Sequence, residues 1–457
     1  MIPPLTIKET QEGLLKKDFS AVELVDAYLQ KINKHNKDFN VFLTITEKEA
    51  YREAKSIDKT LGPKPLLGVT VAYKDLYLTK GVRTTAGSKV LESYIPAYSA
   101  TVVKKLEEAG AIMLGKVNCD AWAHGASGEN SDFGSTKNPW NKNYVPGGSS
   151  SGSATSVASG MSLVAMGTDT GGSTRQPANF CGIVGLKPTY GAISRFGVVS
   201  MASSLDTIGS FGHTIDDVKT VFDVVRGEDG FDSTVKNFTP KKRTQLRLGI
   251  AKEYFMQGLD KEVENSIEEV IKVYKSLGIE IKQLSLPHTK YAVPVYYIVQ
   301  PAEVSSNLGR YDGIRYGEGR NTFGDEAKRR IMLGTYVLSA GYYGAYYLQA
   351  QKVRSKLIED FDKAFEQVDA LISPVSPTPA FKIGEKSSDP LKMYLADVYT
   401  AGANLAGIPG LAVPTGFSKK GLPLGFQLLG PRFSEYDLFE LGKMYHEAVD
   451  YKPKIAL

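Results

Sequence analysis

Apolar positions recur at helical spacing soon after the amino terminus. In SAVELVDAYLQKI (20–32), Ser20 and Glu23 have the spacing of a capping box, and Leu24, Val25, Tyr28, Leu29 and Ile32 line one face. The pattern then switches. LGVTVAY (67–73) is a short apolar run that predicts a buried strand, bounded by Gly68 and the charged pair Lys74–Asp75. An amphipathic helix over 100–109 and the strand AIMLGK (111–116) follow, and helix then strand recurs over 153–168, with Ala154, Val157 and Ala158 before SLVAMGTD. Further on, 213–227 and 260–277 read as helices, 247–255 and 279–286 as strands, and 325–366 as a long helical stretch rich in Tyr and Ala. A strand entering a proline-rich loop is expected over 369–381, a hairpin about SKKG over 410–430, and a last helix near 434–449. Strands alternating with helices predict an α/β layered core. No repeat or low-complexity tail interrupts the chain, and its weakest seam lies near 230–246, so a single domain over 1–457 is expected.

Composition narrows the class. The 457 residues are 42% hydrophobic and 23% charged with a net charge of +5, which fits a globule with a large core and not a nucleic-acid coat. The basic run KKR (241–243) reads as a solvated loop. Two cysteines, Cys119 and Cys181, make neither a disulfide framework nor a zinc spacing, so no metal is expected and a reducing compartment fits. The first residues carry no basic-then-apolar leader, and no apolar run is long enough to span a membrane. The expectation is a cytoplasmic enzyme.

PGGSSSGSA (146–154) is the most unusual stretch. By composition alone it reads as a linker or surface turn. A phosphate-binding loop requires a lysine after the glycines, and none follows. GSSSG (148–152) matches a nucleophile elbow with Ser150 at its centre, but that chemistry needs a histidine, and the later ones, His213, His288 and His446, sit in no obviously catalytic loop. A second small-residue site, TDTGGSTRQPANF (168–180), ends a strand and opens a helix. Backbone N–H groups at a helix start can hold an anion, so a serine there stands beside an oxyanion hole. Ser173 as a simple N-cap is the alternative. A serine nucleophile needs a base. Lys74 ends an apolar strand, where desolvation would favour the neutral amine that can accept a serine proton; on the strand sequence alone a solvated strand-end lysine is the preferred reading.

Lys74 in YKD, Ser149 in PGGSSSGSA and Ser173 in DTGGSTRQPANFCGIVGLKPTYG, followed by SSLDTIG at 203–209, together resemble the amidase signature family, most specifically over about 64–215. The resemblance implies a large mixed sheet covered by helices on both faces and a Ser–cisSer–Lys triad. Ser173 would be the nucleophile, Ser149 the bridge, with a cis bond to Gly148, and Lys74 the base. Ser150 would support them, and the N–H groups of Thr170, Gly171, Gly172 and Ser173 would form the oxyanion hole.

Within the family, YYIVQPAEVSSNLGRYDGIRYG (296–317), KRRIMLGTYVLSAGYYGAYY (328–347) and MYLADVYTAGANLAG (393–407) resemble the glutaminase subunits of tRNA-dependent amidotransferases. That resemblance places a more helical substrate- and partner-facing part at about 255–366. It assigns Arg330 to the carboxylate of glutamine and Asp397 to its ammonium, with Tyr296 in the same pocket; a helix-surface arginine and a loop aspartate are the plain alternative. It further implies a heterotrimer with B and C subunits. Ammonia would pass to the B subunit, which would bind charged tRNA, ATP and Mg2+, so this chain would carry no cofactor of its own. Leu76, Ala121, Trp122 and His124 depart from the family's pattern. A stand-alone amidase of small or aryl amides and a catalytically silent scaffold are the rival readings.

Overall fold

The computed structural model describes residues 3–240, 243, 245–255, 258–314, 318–387 and 389–457. Lys241 and Lys242 of the basic run lie outside the described residues. Among the described residues eleven strands form one mixed sheet: β1 Phe42–Ile45, β2 Thr70–Lys74, β3 Ile112–Val117, β4 Val164–Asp169, β5 Val184–Lys187, β6 Thr207–Gly212, β7 Leu248–Ala251, β8 Ile281–Leu284, β9 Ala370–Pro374, β10 Gly410–Phe417 and β11 Pro423–Leu429. Their order is β1-β3-β2-β4-β6-β5-β10-β11-β9-β7-β8, so strands from both sides of the 230–246 seam join one sheet. β3, β2 and β4 run parallel, as do β9, β7 and β8; antiparallel pairs connect the two sets.

Helices cover both faces. On β10, a Cβ at Gly410 would lie 2.9 Å from Arg175 Cδ in the helix Arg175–Cys181, whereas the next side chain, Leu411, reaches within 3.1 Å of where a Cβ on Gly442 would stand, in the helix Glu435–Ala448. Successive strand residues point to opposite faces, so the two helices sandwich the sheet.

Several local expectations match closely. The helix Ala21–Phe39 starts at Ser20 with both halves of its capping box formed, and β10 and β11 pair across the SKKG turn. The long stretch at 325–366 divides into the helices Asp325–Leu338 and Gln349–Gln367, with a π-helical turn at Tyr343–Leu348. Gly341 and Gly344, poor helix formers, fall at that interruption. The expected strand over 247–255 ends at Ala251 and gives way to a 3-10 turn at Lys252–Tyr254. The helix Ala292–Asn307 was not predicted: it is apolar on most sides and contains Pro301.

Candidate active site

β2 and β4 are parallel neighbours, with Tyr73 opposite Met166. Their carboxyl ends therefore emerge together, the place where open α/β sheets put their chemistry. Lys74 is the last residue of β2 and is completely buried. Its Nζ lies 2.7 Å from Ser149 Oγ, 3.0 Å from Ser150 Oγ and 2.8 Å from Thr168 Oγ1. Three hydroxyls and, among the described residues, no carboxylate touch it, so none of these contacts holds the ammonium form strongly. Burial lowers its pKa to about 8, although Asp120, Asp169 and Asp206 pull the other way from further off. The amine is thus available as a base near neutral pH.

The serine-rich stretch is neither linker nor surface turn. Residues 146–154 are all buried, and Ser151–Ala158 is a helix. Small residues let this helix sit flush on the sheet. A Cβ at Gly152 would stand 2.6 Å from the backbone N and O of Asn118, and one at Gly167 would stand 2.8 Å from Ser150 Oγ. The Gly148–Ser149 peptide is cis. Gln176 steadies the turn from the side, accepting from Gly148 N at 3.0 Å and donating to Ala126 O at 2.8 Å. Ser150 is fully engaged: besides Lys74, it donates to Thr168 O at 3.2 Å and accepts from Thr168 N at 3.3 Å. None of the later histidines bonds to it among the described residues; His288, for one, pairs with Asp360 at 3.0 Å. The elbow arrangement is absent there.

Ser173 lies in the turn between β4 and the helix Arg175–Cys181 and is the most open of the three predicted triad side chains, 8% exposed against 0% for Lys74 and Ser149. The residue at the N-cap position is Thr174, not Ser173, and it makes no side-chain cap bond. Among the described residues no hydrogen bond joins Ser149 Oγ to Ser173 Oγ; the two segments are tied by Ser150 N donating to Ser173 O at 3.3 Å. Such hydrogen bonds commonly tighten only when substrate arrives.

The turn is organised by Asp169. Its carboxylate accepts the N–H groups of Gly172 (2.8 Å), Thr174 (3.1 Å) and Arg175 (3.3 Å) and pairs with the Arg175 guanidinium at 3.1 Å. Burial alone would raise its pKa, but Arg175's charge and hydrogen bonds outweigh it and hold the carboxyl at about 2. This corrects the predicted oxyanion hole. The Gly172 N–H is committed to Asp169, whereas those of Thr170, Gly171 and Ser173 have no acceptor among the described residues. The glycines also answer to close packing: a Cβ on Gly171 would lie 2.6 Å from Tyr296 Cζ, and one on Gly172 would lie 2.3 Å from Thr400 Oγ1.

Tyr296 thus stands directly against the Ser173 turn, buried and stacked edge-on with Tyr297. Tyr297 donates to Asp397 at 2.9 Å, and the Arg330 guanidinium lies over its ring, 5.1 Å from the centroid. Arg330 and Asp397 are both buried, which excludes a helix-surface arginine and a solvated loop aspartate. Burial raises the Asp397 carboxyl to about 7. Arg330 donates through Nε to Glu326 at 2.8 Å and through Nη1 to Gln300 at 2.7 Å. A cavity of about 220 Å3 is lined by Arg330, Tyr297 and Tyr394 together with residues 125–127. Residues 125–127 also pack against the turn that leads into Ser149, since a Cβ on Gly148 would lie 2.7 Å from Ser127 N.

Thr168, Asp169, Arg175, Gln176 and Thr400 were not singled out from the sequence. Four of them lie inside or next to the quoted glycine–serine motif, whose run of polar residues at a buried strand end was the available signal; Thr400 offers none. No helix among the described residues is long and apolar enough to cross a membrane.

Residues 23–439 match the family model Amidase. The chain is 49% identical to the A subunit of glutamyl-tRNA(Gln) amidotransferase from Carboxydothermus hydrogenoformans, over 99% of each chain, and 48% identical to its counterpart from Geobacter metallireducens, over 97% of each. Among solved structures, the corresponding Thermotoga maritima protein superposes with a TM-score of 0.84 at 38% identity, covering 99% of this chain and 98% of that one. The peptide amidase of Stenotrophomonas maltophilia superposes with a TM-score of 0.85 at 26% identity, covering 98% of both. The chain belongs to the amidase family and, within it, to the group formed by the A subunits of glutamyl-tRNA(Gln) amidotransferases.

Proposed function

We propose that this chain is the glutaminase subunit of a tRNA-dependent amidotransferase, with Lys74, Ser149 and Ser173 as its catalytic residues. The observation that carries the reading is the fully buried Lys74 amine 2.7 Å from Ser149, beside a turn that presents Ser173 with N–H donors not otherwise engaged. Ser173 Oγ attacks the carboxamide carbon of glutamine as its proton passes through the Ser149 hydroxyl to neutral Lys74. The oxyanion is held by the N–H groups of Thr170, Gly171 and Ser173, each contributing about 3 kcal/mol if it acts as such donors typically do. Lys74 returns the proton through Ser149 to the departing nitrogen, which leaves as ammonia. Water then attacks the Ser173 ester, giving up its proton along the same route, and glutamate is released. Arg330 and Asp397 are assigned to the carboxylate and ammonium of the amino acid, with Tyr296 closing the pocket.

The names of the relatives support the second half of the reaction. Ammonia released here would pass to a B subunit, with a C subunit completing a heterotrimer, and amidate Glu-tRNA(Gln), Asp-tRNA(Asn) or both. ATP and Mg2+ would act on the B subunit, which also holds the charged tRNA, so this single-domain chain works without a cofactor of its own in the cytoplasm. Adding the two partner subunits and charged tRNA should raise glutaminase activity, and an electrophilic glutamine analogue should label Ser173. Label on Ser150 instead, or rapid turnover of aryl amides with none of glutamine, would overturn the reading.

A further inference from the structure

Next to the Arg330 cavity lie buried polar groups that the reaction above does not use. The His124 side chain is 1% exposed, and neither ring nitrogen has a hydrogen-bond partner among the described residues. Gln300 is fully buried; its Oε1 accepts from Arg330 Nη1 at 2.7 Å, yet its Nε2 has no partner among the described residues. Arg330 itself has partners at Nε and Nη1 but no acceptor at Nη2 among the described residues. Leaving the buried His124 and Gln300 groups unmatched costs on the order of 1–3 kcal/mol each, so they call for an explanation.

Their placement supplies one. His124 begins the segment whose next residues, 125–127, line the same cavity as Arg330, and its carbonyl is anchored by Asn130 Nδ2 at 3.0 Å. Its imidazole is kept well below the usual range, by burial first and by the Arg330 charge second, so it is neutral and presents one N–H. Three donors, one of them cationic, then lack an acceptor in one region. A water molecule has two lone pairs and no charge; a carboxylate has two oxygens, about four acceptor sites and the opposite charge.

We propose that His124 and Gln300 complete, with Arg330, the seat for the α-carboxylate of the substrate, and so set the preference for amides of α-amino acids over simple amides. The inference rests on the glutaminase reading and extends its substrate pocket to two residues. A site built on several buried donors discriminates strongly against a ligand lacking the matching acceptor, because the donors are then left unmatched.

The test compares glutamine with 4-aminobutanamide, which is glutamine without its carboxylate, in the assembled complex. His124→Leu and Gln300→Leu should each raise the KM for glutamine about tenfold with kcat within about twofold, and should lower the ratio of kcat/KM for glutamine to that for 4-aminobutanamide by a similar factor. An unchanged ratio in both variants overturns the proposal. A second measurement needs no variant. With five histidines in the chain, ring 15N signals can be followed individually. Saturating glutamate should shift the His124 signals and 4-aminobutanamide should not; no shift with glutamate overturns the proposal. Wild-type protein that fails to hydrolyse glutamine would refute the glutaminase reading separately, and the glutamate titration would still decide the carboxylate seat.

Discussion

Asp169 and Arg175 form an ion pair 3.1 Å apart with both side chains fully withdrawn from solvent, directly beneath the turn that carries Ser173. The pair fixes which backbone N–H groups point at the carboxylate and which remain for a ligand. Replacing Asp169 with Asn leaves the Arg175 cation without its counter-charge, so a loss of about 3 kcal/mol in unfolding free energy is expected by denaturant titration. The acid dependence has a definite sign. A carboxyl held at about 2 when folded and 3.8 otherwise contributes stability that is fully present above about pH 4 and is lost as pH falls toward 2. In Asp169→Asn protein that part of the acid transition should vanish.

Ser173→Ala should abolish glutamine-dependent amidation while the assembled complex still amidates charged tRNA when supplied with ammonium salt, because the partner's chemistry needs only ammonia. Ser149→Ala should lower kcat by at least about a hundredfold, the scale of a proton-transfer group. Full glutaminase activity in Ser173→Ala would remove it from the nucleophile's role.

Two titrations should shape the pH profile. Lys74 must be neutral, and burial brings its pKa to about 8, so kcat should rise as pH increases through about 8 and level off above. Asp397 must be charged to hold an ammonium, and burial raises its carboxyl to about 7, so the KM for glutamine should climb as pH falls through about 7. Bound glutamine stabilises the Asp397 carboxylate and so removes its titration from kcat. An Asp397→Asn variant with an unaltered KM profile would detach it from the pocket.

Gly172 has φ +136°, where a side chain is strained, and its Cβ would meet Thr400 Oγ1 at 2.3 Å while that hydroxyl donates to Gly171 O at 2.5 Å. Gly172→Ala should push the turn away from Thr400 and cut kcat/KM by about a hundredfold or more, as small misplacements at a reacting centre do. Thr400→Ser should not rescue Gly172→Ala, since serine keeps the Oγ and Cβ that the new side chain would meet at 2.3 and 2.8 Å.

How far the sequence could be read depended on distance along the chain. The capped helix after Ser20 and the hairpin about SKKG rest on neighbours, and both were legible. The helix Ala292–Asn307 was not, because a helix enclosed by others shows no polar face and Pro301 argues against one. Lys74, Ser149 and Ser173 came from a resemblance, since nothing local shows that the ends of β2 and β4 adjoin. The Gly172 donor was misassigned for the same reason: Asp169 claims it only through a turn whose shape Asn404 and Thr400, far along the chain, help to hold.

The closeness of Gly152 to the Asn118 backbone leaves no room for side chains to grow where the Ser151–Ala158 helix meets the sheet. Bond-breaking and choice of substrate are therefore separable across the molecule. The path from Lys74 to Ser149 is locked into a layer where nearly any enlargement is rejected, while the walls at Arg330 and Asp397 come from later segments that meet the catalytic layer at Tyr296, Thr400 and Asn404. One unaltered engine can serve many appetites, and new ones should arise by redrawing those later walls.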